Sequence, residues 1–346
     1  MNIIKSFKVA AVAVASCLAL SASAQEELTG AGSTFINPLF SKIFADYKAA
    51  KVNYQSVGSG AGILQLTNKT VDFGDSDAPL NADQTKATGG EGAVLHIPMA
   101  SGAVVVTYNI PGVSGALNLT GKDLADIYLG KVTKWNSPEI KATNKNVNLP
   151  DLPIVVIHRS DGSGTSFIFT DFLTKVNPEW ASKVKAASAP NWPAGLGGKG
   201  SEGVAGLVKQ TPGAIGYVEL AYAKQNKMPY ANIQNKSGKF IEPTLAATTL
   251  ASNVTIPAST VVSITNTDNP NGYPIASFTW ALIYKEQNYN GRSKAKATAV
   301  AKLLWFNIHE GQKECEPLNY APLSKSALKA AEAVLKSATY GGKAIL

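Results

Sequence analysis

Two periods of apolar residues alternate along this chain. Val52-Asn53-Tyr54-Gln55-Ser56-Val57, Thr70-Val71-Asp72-Phe73, Val94-Leu95-His96-Ile97, Val104-Val105-Val106-Thr107-Tyr108 and Pro153-Ile154-Val155-Val156-Ile157 are short β-rich runs between turn residues, and they read as strands. Pro38 to Ala49 carries Leu39, Phe40, Ile43, Phe44 and Tyr47 at helical spacing. Ile63 to Thr67, Asp123 to Leu129, Phe167 to Val176, Val204 to Gln210, Ala295 to Ile308 and Ser324 to Leu335 read as further helices. This alternation predicts an α/β fold with mostly parallel sheet covered by helices. Two long apolar strands, Val104 to Tyr108 and Ile275 to Ile283, flank the middle of the chain, and neither is bounded like a domain edge. That placement predicts a discontinuous domain, which the chain leaves through one strand and re-enters through the other.

With 346 residues the chain has room for two domains with substantial cores. The first 24 residues stand apart. Lys5 and Lys8 open them, Val9 to Leu20 is apolar, and Ala22-Ser23-Ala24 has the small-residue form of a cleavage site. The apolar run is too short for a membrane span, so residues 1–24 read as an export signal. Val14-Ala15-Ser16-Cys17 also has the form of a lipoprotein signal, an alternative in which Cys17 is acylated. Without the leader only Cys315 remains, so an internal disulfide is ruled out and the exported fold must rest on its core. The formal charge is +8, and the leader holds two lysines and no acid, which leaves +6. The lysines are dispersed and not interleaved with aromatics, which argues against a nucleic-acid partner.

Three segments share one physical design. Thr29-Gly30-Ala31-Gly32-Ser33-Thr34-Phe35, Gly58-Ser59-Gly60-Ala61-Gly62 and Arg159-Ser160-Asp161-Gly162-Ser163-Gly164-Thr165 each lie where a helix begins, two of them directly after a predicted strand. Free N–H groups and the positive end of the helix dipole gather anions there, hydroxyls add donors, and Arg159 adds a fork that fits an oxyanion. Serine at a helix start also caps the helix whatever else it does. Known nucleotide and esterase motifs fail. Phe35 stands where G-x-G-x-x-G needs its last glycine, Lys199 lacks the following Ser or Thr of a P-loop, and Asp161 replaces the first glycine of G-x-S-x-G around Ser163. His96, His158 and His309 lack the spacing of a zinc motif or triad. Asp72-Phe73-Gly74-Asp75-Ser76-Asp77 places three acids in six residues, without the spacing of a calcium loop, and reads as a polar turn.

Together these segments resemble the substrate-binding protein of the bacterial high-affinity phosphate ABC importer. Thr29 to Phe35, Val52 to Gln55, Val71 to Leu80, Asp161 to Phe167, Gly195 to Gly200 and Pro212 to Glu219 carry the resemblance, which runs from about Leu28 to the last helix and thins over 230–275. It implies the two-lobed periplasmic binding protein fold of type II. One lobe would comprise 25–105 plus 275–346, the other 106–274, with the ligand cleft between them. It implies a monomeric, non-enzymatic, cofactor-free protein of the periplasm that binds inorganic phosphate and serves a membrane permease with a cytoplasmic ATPase. Thr34, Phe35, Ser59 and Asp77 would meet phosphate from one lobe, Arg159, Ser163, Gly164 and Thr165 from the other, and Asp161 would hold Arg159 from behind. His158 departs from the pattern, standing where a second arginine can occur. The resemblance gives Asp77 a task. Phosphate near neutrality keeps a proton that a carboxylate accepts, whereas sulfate would set lone pairs against it in a dry cleft. Binding of another oxyanion and a secreted phosphoesterase using Ser163 are the alternatives.

Overall fold

A computed structural model of the chain describes residues 25–113 and 115–346; the segment read as an export signal, 1–24, lies outside them. One eight-stranded sheet runs through the molecule in the order Ala50–Ser56, Glu26–Gly32, Phe73–Ser76, Ala276–Tyr284, Val94–Tyr108, Ala214–Glu219, Val155–Arg159, Leu196–Gly198. The three strands at the first edge are mutually parallel, as are the three at the other. The expectation of a mostly parallel sheet fails at the centre. Ala276–Tyr284 runs antiparallel to both its neighbours, and Val94–Tyr108 runs antiparallel to Ala214–Glu219. A chain that crosses from one helix-wrapped group to the other and later returns must insert antiparallel strands where it crosses.

The central strands are long because they serve both groups. Val94–Tyr108 reads as two runs in the sequence but is one strand of fifteen residues. Residues 94–103 pair with Ala276–Tyr284 and residues 104–108 with Ala214–Glu219. Pro98, which cannot donate to a ladder, lies where the register shifts between Thr279 and Trp280, a tolerated place for it. Both strands are buried almost throughout, which explains their unbroken apolar runs.

Helices start earlier than apolar spacing alone indicates. The helix expected from Phe167 spans Gly164–Val176, and that expected from Val204 spans Gly200–Gln210. Their first turns, Gly164-Thr165-Ser166 and Gly200-Ser201-Glu202-Gly203, carry no apolar signal. The strand expected at Thr70 to Phe73 is displaced to Phe73–Ser76. Asp72 is drawn out of it: its carboxylate accepts the Thr29 N–H (2.8 Å) and hydroxyl (3.1 Å) and pairs with Arg292. The acid run is therefore no polar turn. Asp75 and Asp77 continue into the interior, Asp75 in a wholly buried strand.

Candidate functional site

The three predicted turns meet at the middle of the sheet. Ser33, Thr34 and Phe35 follow the strand Glu26–Gly32 and lead into the helix Asn37–Asp46. Gly58, at φ 92°, turns the chain into the helix Ser59–Thr67, and a Cβ on it would lie 2.2 Å from Asp161 Oδ2 on the opposite turn. Only glycine suits both that backbone and that approach. Opposite stand Arg159, the last residue of its strand, and the start of the helix Gly164–Val176.

Each predicted residue has a defined place. Asp77 is 1% exposed. Its Oδ2 accepts the Ser33 hydroxyl at 2.6 Å and its Oδ1 the Thr279 hydroxyl at 2.7 Å. Burial pushes the Asp77 carboxyl up to about 6, against the opposing pull of the Ser33 and Thr279 hydrogen bonds and of the Arg159 charge. Arg159, 3% exposed, donates from Nε to Asp161 Oδ1 (2.8 Å) and from Nη2 to Oδ2 (2.5 Å). Asp161 also accepts the Gly200 N–H at 3.0 Å. Burial raises the Asp161 carboxyl, but the hydrogen bonds and charge of Arg159 outweigh it and hold the group below the usual carboxylate range. Asp161 thus steadies the guanidinium from behind and leaves its other N–H groups for a ligand.

The hydroxyls divide by role. Ser163 caps its helix, accepting the Ser166 N–H at 3.0 Å. Thr165 Oγ1 is buried without a protein partner. Ser59 Oγ accepts two N–H groups, Gly164 at 3.1 Å and Asp77 at 3.4 Å. Thr34 Oγ1 lies 2.8 Å from Ser201 Oγ and accepts the Ser201 N–H at 3.2 Å. The Phe35 N–H donates to Ser33 Oγ at 2.9 Å, while its ring packs 6.1 Å from that of Tyr320. The two walls touch directly: Gly60 N–H donates to Gly162 O at 2.9 Å and the Tyr222 hydroxyl to Thr34 O at 2.6 Å. His158 is stacked on Trp192 with ring centres 4.9 Å apart, and its Nδ1 lies 3.0 Å from the Arg159 carbonyl oxygen.

Sequence reasoning missed four contributors. Ser33 sat inside a noted motif but was passed over. Thr279 is one of two small hydroxyl residues, with Ser277, in an otherwise largely apolar buried strand, which was a usable signal. Asp75, fully buried, shares Thr279 with Asp77. Ser201 follows the Gly195–Gly200 motif, and nothing local shows that it crosses to Thr34.

Comparison with known proteins follows this geometry. Residues 19–305 match the model of the PBP superfamily domain. The phosphate-binding protein PstS of Xylella fastidiosa (strain 9a5c) is 41% identical over 314 residues, covering 89% of this chain and 84% of the relative. That of Methanocaldococcus jannaschii is 38% identical over 315 residues, with 84% and 80% covered. Among solved structures, a high-affinity periplasmic phosphate-binding protein bound with phosphate has a TM-score of 0.72 at 20% identity, covering 89% of this chain and 93% of its own. A phosphate-binding protein from Stenotrophomonas maltophilia has a TM-score of 0.66, again at 20% identity and with 89% and 93% covered. At that identity the structures show the fold, the two-lobed α/β binding-protein fold, and the closer sequence relatives show the family. This chain belongs to the PstS family of phosphate-binding proteins.

Proposed function

We propose that this protein captures inorganic phosphate in the cleft between two α/β lobes and hands it to an ABC permease driven by a cytoplasmic ATPase. The lobes are 25–105 with 275–346, and 106–274. Hinge closure about the strands Val94–Tyr108 and Ala276–Tyr284 brings the two walls together on the ligand. The protein acts as an exported monomer, in the periplasm, and catalyses no reaction.

One observation carries the reading. A buried carboxylate, Asp77, with a hydroxyl on each oxygen, faces an arginine and a helix N-terminus across a closing cleft. Arg159 and the hydroxyls of Ser59, Thr165 and Thr34 supply donors that any oxyanion would accept, at the positive end of the helix Gly164–Val176. Asp77 accepts only a ligand that still carries a proton, which phosphate does and sulfate does not. Fully ionised oxyanions are disfavoured for the same reason. For the phosphoesterase alternative, Ser163 would need a base, and its hydroxyl is engaged in capping its own helix.

Titration calorimetry on ligand-stripped protein tests the proposal. Heat with phosphate and none with equal sulfate is expected; no heat with phosphate overturns it. A generic phosphate ester left unhydrolysed agrees with a binding protein, and turnover would restore the enzyme reading.

A further inference from the structure

Asp75 is a second buried acid directly behind the site. Its exposure is 0%, and no Lys, Arg or His forms a salt bridge with it among the described residues. Its Oδ2 has no hydrogen-bond partner. Its Oδ1 has one, the Thr279 hydroxyl at 3.0 Å, which also lies 2.7 Å from Asp77 Oδ1.

A threonine hydroxyl has one proton to give. It cannot donate to two carboxylates at once, so if both acids were ionised one oxygen would face a lone pair in a dry interior. Asp77 holds the stronger claim to the charge, because it also receives the Ser33 hydroxyl and feels Arg159. Asp75 has neither, and burial first and the neighbouring Asp77 charge second push its carboxyl well above the usual range. The other titratable groups near the pair do not favour a second negative charge. The Tyr54 phenol senses both acids, and the buried Glu219 is pushed up first by burial and further by the Asp77 charge.

We propose that Asp75 is a neutral carboxylic acid that donates through Thr279 to Asp77, and that phosphate binding depends on its keeping that proton. Asp75 is thereby a positioning residue: it touches no ligand and acts through Thr279. With Asp75 protonated, Asp75 Oδ1–H gives to Thr279 and Thr279 gives to Asp77, so both Asp77 oxygens are held as acceptors facing the cleft. With Asp75 ionised, Thr279 is pulled two ways and a further negative charge lies next to Asp77, against an anion entering the closed cleft. Binding and the Asp75 proton are then linked. An anion in the cleft strengthens the hold on that proton, and loss of the proton weakens the anion's binding. The inference rests on the phosphate reading for its ligand, but the protonation of Asp75 is observable without any ligand.

Two measurements test it. The first is infrared spectroscopy of ligand-free wild type and Asp75→Asn at about pH 8, above the value Asp77 takes in the fold. A protonated-carboxyl stretch that Asp75→Asn removes is expected; a wild-type spectrum unchanged by the substitution overturns the neutral acid. The second is phosphate affinity from about pH 6 to about pH 9. Asn keeps a neutral donor, so Asp75→Asn should bind within about threefold of wild type near neutrality, below the size of one lost hydrogen bond. Over the pH range in which the wild-type stretch fades, wild type should weaken relative to Asp75→Asn, up to about tenfold for each unit of differential ionisation. A wild-type to variant ratio that stays constant while the stretch fades overturns the linkage. If wild type binds no phosphate at any pH, the phosphate reading fails, and the infrared result still decides the state of Asp75. Should Asp75→Asn not fold, the Asp77→Asn variant isolates the same stretch, because Asp75 is then the acid left in the pair.

Discussion

Gly164→Ala separates closure from folding. Gly164 is the first residue of the helix Gly164–Val176, and its φ lies outside the left-handed region, so its own backbone does not demand glycine. What demands it is the other wall. A Cβ at this position would lie 2.6 Å from Asp77 Oδ2, 2.7 Å from Asp77 Cβ and 2.7 Å from Asp77 N. Ordinary contact begins at 3.4 Å, so even the 2.7 Å contacts are 0.7 Å too close. The carboxylate oxygen can swing aside, but Cβ and the backbone nitrogen are fixed to the strand end. Overpacking of this kind costs about 1–3 kcal/mol. Holding the walls apart also forfeits the bond from Gly164 N–H to Ser59 and that from Gly60 N–H to Gly162, at about 1 kcal/mol each. The sum, about 3–5 kcal/mol, falls on the closed state alone and corresponds to a loss of roughly two to four orders of magnitude in phosphate affinity. The free protein should melt no lower than wild type, because alanine is the better helix residue. Calorimetric titration and a thermal melt of the same sample suffice. Phosphate affinity within tenfold of wild type would refute the claim that these walls meet on the ligand.

Four shorter expectations accompany it. Asp77→Asn should narrow the phosphate-to-sulfate affinity ratio by about tenfold or more, since the amide no longer opposes a fully ionised anion with a charge; an unchanged ratio would move discrimination to the surrounding donors. Arg159→Lys keeps a charge but loses the fork shared with Asp161, so phosphate affinity should drop by about tenfold to a hundredfold in the same titration, and retained affinity would contradict the fork's role. The Asp77 carboxyl is raised from 3.8 to about 6 in the fold, so the stability it contributes is complete below its ordinary value and is lost as pH rises through about 6. Asp77→Asn should therefore melt above wild type at about pH 7.5 and lose that advantage near pH 4, and an offset independent of pH would count against the assignment. Finally, Asp171 Oδ2 accepts the Ser263 (2.7 Å) and Thr265 (2.5 Å) hydroxyls, tying the helix that begins at Gly164 to the segment that packs on Trp280 through Thr260. Replacing Ser263 with Ala and Thr265 with Val together should speed phosphate release several-fold in stopped flow, with the association rate little changed; an unaltered release rate would show that this tie does not hold the closed form.

What the sequence disclosed was the local part. A glycine and hydroxyl turn at the start of a helix is chemistry within a few residues, so the turns holding Ser59, Arg159, Ser163, Gly164 and Thr165 stood out as candidate anion sites before any fold was known. The long apolar strands showed that the chain crosses its own middle twice. The hidden part was sheet order. Thr279 meets Asp77 across 202 residues because Ala276–Tyr284 returns beside Phe73–Ser76, and no local pattern reports that neighbour. The same gap hid the separate fates of the three acids: Asp72 turned toward Arg292, while Asp75 and Asp77 lie side by side on Thr279. In sequence they are one charged cluster; in the fold only Asp77 faces the cleft's donors.

Ser59 shows why selection and closure are inseparable here. Its oxygen accepts the Asp77 N–H from its own wall and the Gly164 N–H from the other. A hydroxyl oxygen with both lone pairs taken by N–H groups has only its proton left, and that proton must find an acceptor. Within a buried cleft the acceptor that fits is the ligand's own oxygen. Closure therefore turns Ser59 from an ambivalent group into an obligate donor, at the same moment that it brings Gly164 against Asp77. Before the walls meet, Asp77 has solvent to satisfy it and rejects little. After they meet, a ligand without a proton leaves it facing lone pairs at a point from which water is gone. Discrimination between phosphate and sulfate should accordingly appear in the closing step rather than in first contact. Association rates for the two anions should be similar, and sulfate should leave before the lobes can close on it.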